Sequence, residues 1–158
     1  TAYFFLRRYK DAAAMYRQAL ERAPRDHRWH GNLGDALRIA GDTTAAQSAY
    51  GAAAELARQN LVVNPTDAET IVRLAAYDAA LGRATLARAA LEEALRSNPA
   101  DPYIYYDAAV AWTNMGMTSQ ALEALGNTVR LGYPPRLVAA DPLFDSIRST
   151  DGFQRIVH

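Results

Sequence analysis

Two histidines a few residues apart, beside carboxylates, are the first place to look for chemistry in this chain. His27 and His30 would share one face of a helix with Asp26 or Asp35 in reach, an arrangement that could begin a metal site. No third and fourth ligand is placed nearby. Asp26 stands where a helix start needs a capping side chain, and His30 falls on a packing position of the pattern described below. The structural reading is therefore preferred, and neither a metal nor a cofactor is expected. His158 is terminal and uninformative. No G-x-G-x-x-G, P-loop, G-x-S-x-G or H-E-x-x-H string occurs, and no serine has a histidine close by in sequence. No catalytic residues are assigned, and an enzyme is not expected.

Charge narrows the class further. The 158 residues carry 17 basic and 17 acidic side chains, with Lys10 the only lysine and no run of like charges. Nucleic acid and anionic membranes are held by clustered Lys and Arg, so neither is expected as a partner. There is no cysteine, which excludes disulfides and thiolate metal sites. Charge interrupts every apolar stretch far short of a membrane span, and no signal peptide is visible. A soluble, cytoplasmic protein is expected.

The elements that would position any site read as helical hairpins. In residues 68–101, Asp67 can cap a first helix with Ile71, Leu74, Ala75 and Tyr77 on its apolar stripe. Gly82 stops it, and Arg83 to Ser97 form a second helix with Leu86, Ala87, Ala90, Leu91, Ala94 and Leu95 inward. Pro99 closes the unit. The same punctuation recurs along the chain. Pro24, Pro65 and Pro99 are 41 and 34 residues apart; Ala12, Ala46, Ala87 and Ala121 are spaced by 34, 41 and 34. Ladders of Tyr16, Tyr50, Leu91 and Leu125, and of Gly41, Gly82 and Gly116, keep the same register. The extra heptad lies between Ala53 and Pro65. Two turns at about 100° per residue rotate a helix face by only about 20°, so the lengthened helix should continue in phase to about Val63, as Leu56, Leu61 and Val62 suggest, and overhang its neighbours.

A two-helix unit with a period of 34 resembles the tetratricopeptide repeat, whose pattern runs W-x2-L-G-x2-Y, A-x3-F and a closing P. The second repeat shows His30, Leu33-Gly34, Leu37, Ala46, Tyr50 and Ala53; the third Ile71, Leu74-Ala75, Ala87, Leu91, Ala94 and Pro99; the fourth Tyr105, Ala108-Ala109, Trp112, Ala121 and Leu125. Four departures stand out. Trp29 precedes the family's aromatic by one residue, Asp78 replaces the second aromatic, Thr128 an alanine, and Tyr133 the last proline. The resemblance implies an all-α fold, a right-handed α-solenoid of about three and a half hairpins over residues 1–133 (repeats at about 1–26, 27–67, 68–101 and 102–133). Residues 134–158 are expected to form capping helices, with Leu143, Phe144, Ile147, Phe153 and Ile156 covering the open end. The register begins partway through a first helix, which implies a piece of a longer protein. The tail ADPLFDSIRSTDGFQ and the stretch LVVNPTD are similar to the ends of repeat arrays on bacterial signalling proteins such as kinases, cyclases and winged-helix regulators.

By the same resemblance, the first helix of each repeat lines a concave binding surface. That stripe carries Arg28, Asp35 and Arg38 in the second repeat, Glu69, Val72 and Ala76 in the third, and Tyr103, Tyr106 and Val110 in the fourth. Family members that hold a C-terminal carboxylate use Lys, Asn and Arg here; Gly31, Asp35, Val72, Ala76, Tyr106 and Val110 leave no such clamp. Small residues beside tyrosines suit an apolar or amphipathic segment. The expected function is a non-catalytic protein–protein interaction scaffold; the alternative is a structural or regulatory module that docks within its own chain or self-associates.

Overall fold

A computed structural model describes residues 2–96 and 99–158. The expected helix end at Ser97 and the entry at Thr1 lie outside the described residues. Among these, every regular element is helical, and no helix is long and apolar enough to cross a membrane. The chain divides into two compact units, residues 1–65 and 66–158.

The first unit comprises α1 (Ala2–Phe5), α2 (Tyr9–Arg22), α3 (His27–Ile39) and α4 (Thr43–Val63), each packed on the next. Asp26 caps α3 by accepting from the Arg28 amide, and Asp42 caps α4 by accepting from the Ala45 amide. Such caps satisfy amides that have no partner within the helix. The core is built from small residues around Tyr16 and Tyr50, among them Ala12, Ala36, Ala46, Ala53 and Ala57. Gly34 is required here: a Cβ on it would lie 2.7 Å from the Tyr50 ring. Helix α4 has 21 residues and runs unbroken to Val63, as its phase implies. Its apolar face ends sooner than expected. Leu56 and Leu61 are half-buried, but Val62 is 84% exposed, because it sits one residue and about 100° round from Leu61.

The second unit comprises α5 (Ala68–Ala80), α6 (Ala84–Arg96), α7 (Pro102–Asn114), α8 (Thr118–Arg130), α9 (Pro135–Ala140) and α10 (Asp151–Val157), with a 3-10 turn at Pro142–Phe144. Helix α5 packs on both α6 and α7, and α7 on both α5 and α8. First helices are thus contacted on two sides, and α7 is buried almost continuously from Asp107 to Trp112. This corrects the expectation for three residues of the stripe. Val72, Ala76 and Val110 are core residues. Leu86 is corrected in the other direction: it is 59% exposed, and Ala87, Leu91 and Ala94 supply the buried side of α6. The tail lies within the same core, with Val138, Phe144, Ile147 and Phe153 buried and α10 packed on α8.

The hairpin turns share one hydrogen-bond pattern. The Gly82 amide donates to the Ala79 carbonyl and the Arg83 amide to the Asp78 carbonyl, with φ +76° at Gly82. Gly41, Gly116 and Gly132 repeat it. The left-handed backbone explains the glycine ladder. After α1 the same two bonds form, but the glycine's place is taken by Arg7 at φ +58°.

Three of the departures from the repeat pattern are satisfied locally. Trp29 stacks at a tilt on Tyr16, ring centres 6.1 Å apart. Asp78 is buried and accepts from Arg83 at 3.0 Å. Thr128 is fully buried with its hydroxyl donating to the Ala124 carbonyl at 3.0 Å. The fourth, Tyr133, belongs to the candidate site.

Candidate binding face

In the first unit, the three candidate residues lie on α3. Arg28 is exposed and bridges back to Asp26 at 2.8 Å, which holds the Asp26 carboxyl below its ordinary range. Asp35 and Arg38 turn toward their own hairpin. The Tyr50 hydroxyl donates to Asp35 at 2.7 Å, and Arg38 Nε donates to that hydroxyl at 3.1 Å. Burial and the Asp35 charge push the phenol up. Burial disfavours the Arg38 charge, yet Tyr50 and Asp35 outweigh it and hold that guanidinium protonated. These groups chiefly fasten α3 to α4.

Near them, His27 is buried at the first position of α3, and His30 Nε2 lies 2.9 Å from the Pro24 carbonyl. Among the described residues, no group of three His, Cys, Asp or Glu side chains is placed to hold a metal.

The other six candidates lie in the second unit. Glu69 is exposed and paired with Arg73 at 3.1 Å, and Arg73 reaches Asp107 at 3.3 Å. Burial opposes the Arg73 charge, but Asp107, Tyr77 and Glu69 together raise its pKa. Val72, Ala76 and Val110 lie beneath the surface. Tyr106 is half-buried, and its hydroxyl donates to Asp141 Oδ2 at 2.6 Å. Its ring stacks on Tyr133 with centres 5.3 Å apart and meets Phe144 edge-on at 5.7 Å. Tyr103 remains at the surface, 56% exposed, edge-on to Tyr133 at 5.7 Å. The structure therefore brings Tyr103 and Tyr106 together through Tyr133, and Glu69 together with Asp107 through Arg73.

Asp107, Arg73 and Tyr133 are parts of this face that the motif reading passed over. The spacing of four between Glu69 and Arg73 was a usable signal for their ion pair. Nothing local pairs Tyr106 with Asp141, which is 35 residues away. Tyr133 is pushed up to about 12 by burial and by the nearby Asp141, Tyr103 and Asp107. The chemistry on offer is non-covalent: aromatic surface, carboxylates and one paired guanidinium.

Each unit also has a recess of about 420 or 450 Å³ where a second helix starts beside the turn of the following hairpin. Tyr9 and Lys10 meet Ile39 and Ala40 in one; Thr85 and Arg88 meet Met115 and Met117 in the other. Their equivalent places in the repeat mark them as gaps of hairpin stacking.

Residues 1–60 match the family model described as Tetratricopeptide repeat. The matched hairpins lie in the first unit, which carries tetratricopeptide repeats, and the second unit repeats the same glycine turns and alanine ladder. No curated protein matches the chain. Repeats of this family generally mediate protein–protein interaction and are typically non-catalytic.

Proposed function

We propose that this chain is a non-catalytic scaffold that holds a peptide or protein segment on the α5–α7 face of its second unit, with Tyr103 as anchor. The observation that carries this reading is the exposure of Tyr103 beside a packed neighbour. A tyrosine held edge-on by Tyr133 offers a large amphipathic surface with little side-chain freedom to lose, the character of an interface hot spot. Glu69 lies on the rim, and Arg28 is the most exposed of the three first-unit candidates. Val72, Ala76 and Val110 support the face from below. Peptides selected from a display library against the whole chain should lose about 1 to 2 kcal/mol of affinity in Tyr103→Ala, and none in Glu123→Ala on exposed α8 surface. Selected binders indifferent to Tyr103 would overturn the reading.

A second reading has its own observation. Val62 and Val63, at 84% and 86% exposure, end the lengthened α4 with apolar surface. That surface, with the likeness of the tail and of LVVNPTD to arrays on bacterial signalling proteins, supports a cytoplasmic regulatory module that docks or self-associates. Sedimentation would test it. A wild-type chain that associates, and a Val62→Lys, Val63→Glu double variant that stays monomeric with the same helicity, would favour this second reading; a monomeric wild type would count against self-association.

A further inference from the structure

The chemistry of the segment that the α5–α7 face would hold follows from what the face leaves at its surface. The small apolar residues expected to form its floor are inside: Val72 is fully buried, and Ala76 and Val110 nearly so. An apolar anchor has no open apolar pocket to enter there. What remains at the surface are the Tyr103 ring, the half-buried Tyr133 ring and the exposed carboxylates of Asp101 and Glu69, while Asp107 and Asp141 lie beneath, 7% and 1% exposed. Asp101 caps α7 by accepting from the Tyr103 amide at 2.8 Å. Asp141 accepts the Tyr106 hydroxyl beneath the Tyr133 stack, and the buried Asp107 is paired with Arg73. Glu69 joins through Arg73. Two cations nearby are already committed: Arg73 to Glu69 and Asp107, and Arg148 to Asp145 at 2.6 Å and the Asp141 carbonyl at 2.7 Å. The named groups are thus aromatic and, with Asp101, Glu69, Asp107 and Asp141 against Arg73 and Arg148, net negative, which favours a cation at the exposed ring.

We propose that the Tyr103–Tyr133 pair is an arginine-recognition site: it takes the guanidinium of an extended segment of a protein partner, laid against the exposed Tyr103 ring and paired with the surface carboxylates of Asp101 and Glu69. A guanidinium fits better than an ammonium because it is planar, weakly hydrated and able to stack on a ring while donating at its edge. This inference rests on the reading of the face as a binding surface and names its ligand class.

The test uses the whole chain with ring-labelled tyrosines and three blocked pentapeptides, identical but for arginine, norleucine or glutamate at the centre. The arginine peptide should shift the ring signals of Tyr103 and Tyr133 and bind about fivefold more tightly than the norleucine peptide. That difference should shrink as salt is raised. The glutamate peptide should not bind, and Tyr103→Ala should remove the Tyr133 shift. If norleucine binds as well as arginine with the same shifts, the cation claim is overturned while the scaffold face stands. If no peptide moves either ring, both the claim and the assignment of this face fall.

Discussion

The hydroxyl of Tyr106 and the carboxylate of Asp141 meet at 2.6 Å, fastening α7 to the tail. The other oxygen of Asp141 accepts from the Leu143 amide at 2.9 Å and so starts the 3-10 turn that carries Phe144. One carboxylate thus serves as helix cap and as tertiary clasp. A buried hydrogen bond to a charged acceptor contributes about 1.5 to 3 kcal/mol. Tyr106→Phe keeps the ring stack and should lose about that much, read from urea unfolding midpoints. An unchanged midpoint would mean that water replaces the hydroxyl at no cost.

The two aspartate caps should respond to pH with opposite signs. Burial raises the Asp141 pKa above its ordinary 3.8, with the Tyr106 and Leu143 bonds only partly offsetting it. The folded chain therefore holds this proton more tightly than the unfolded chain does. Its contribution favours folding below 3.8 and is lost as pH rises through the raised value. Asp141→Asn should gain on the wild type across that window. Asp26 is lowered by its hydrogen bond to Arg28, so its contribution is present above 3.8 and lost as pH falls through the lower folded value. Asp26→Asn should therefore fall behind the wild type above 3.8. Unfolding midpoints taken between about pH 3 and pH 7 would show slopes of the wrong sign if either assignment is mistaken.

Arg7 occupies the turn position that Gly41, Gly82 and Gly116 fill elsewhere, at φ +58°. A side chain in this region costs roughly 1 to 2 kcal/mol, which glycine avoids. Arg7→Gly should raise stability by about 1 kcal/mol, less a small loss from the freer unfolded chain. A drop in the melting temperature of the variant would show that the arginine side chain contributes more than its backbone strain costs.

Three glycines inside helices should behave differently on gaining a methyl group. A Cβ added at Gly51 or Gly126 meets nothing within 4 Å, so alanine should stabilise each helix by about 0.5 to 1 kcal/mol. At Gly34 the added atom meets the Tyr50 ring, and overpacking of this kind costs about 1 to 3 kcal/mol. Chemical denaturation of the three single variants should give two increases and one decrease. A decrease at Gly51 or Gly126 would reveal a packing role that the open space around them does not suggest.

The Gly34 contact shows which features were legible in the sequence. The repeat pattern assigned Gly34 and Tyr50 to recurring positions of the hairpin, the structure puts them in contact, and the equivalent residues Ala75, Leu91, Ala109 and Leu125 are all buried. Periodicity reports contacts that every hairpin repeats, so helix order, turns and caps were readable. It is silent where the chain uses a position once. Asp67 begins α5 as expected, yet its carboxylate accepts the Thr70 hydroxyl at 2.6 Å rather than a backbone amide. The second buried side of α5 and α7 was missed because Val72, Ala76 and Val110 lie off the main apolar stripe, and their cover comes from elements outside their own hairpin, α5 and α7 packing on each other and the tail turn packing on α7. Tyr103 and Tyr106 are three residues apart on one helix. Only the return of the tail decides that one is tied to Asp141 while the other stays exposed.

Phe144 gives the most demanding test of that return. Its side chain is fully buried between the edge of Tyr106 and the ring of Phe153, whose centre lies 6.5 Å away. Removing a buried phenylalanine costs about 3 to 5 kcal/mol, from lost transfer energy and the cavity left behind. A clasp made by a detachable tail would lose much less, since the tail could lift away and leave the hairpins folded. Phe144→Ala should therefore lower the melting temperature of the second unit as a whole, with the helical signal and the tyrosine environment changing together. Leu137→Ala, at a position 38% exposed on neighbouring α9, is the control and should change little. If Phe144→Ala instead frees the tail to proteolysis while the helical melt is unchanged, then α7 and α8 are stable without their cover and the buried face of Tyr106 is an optional contact.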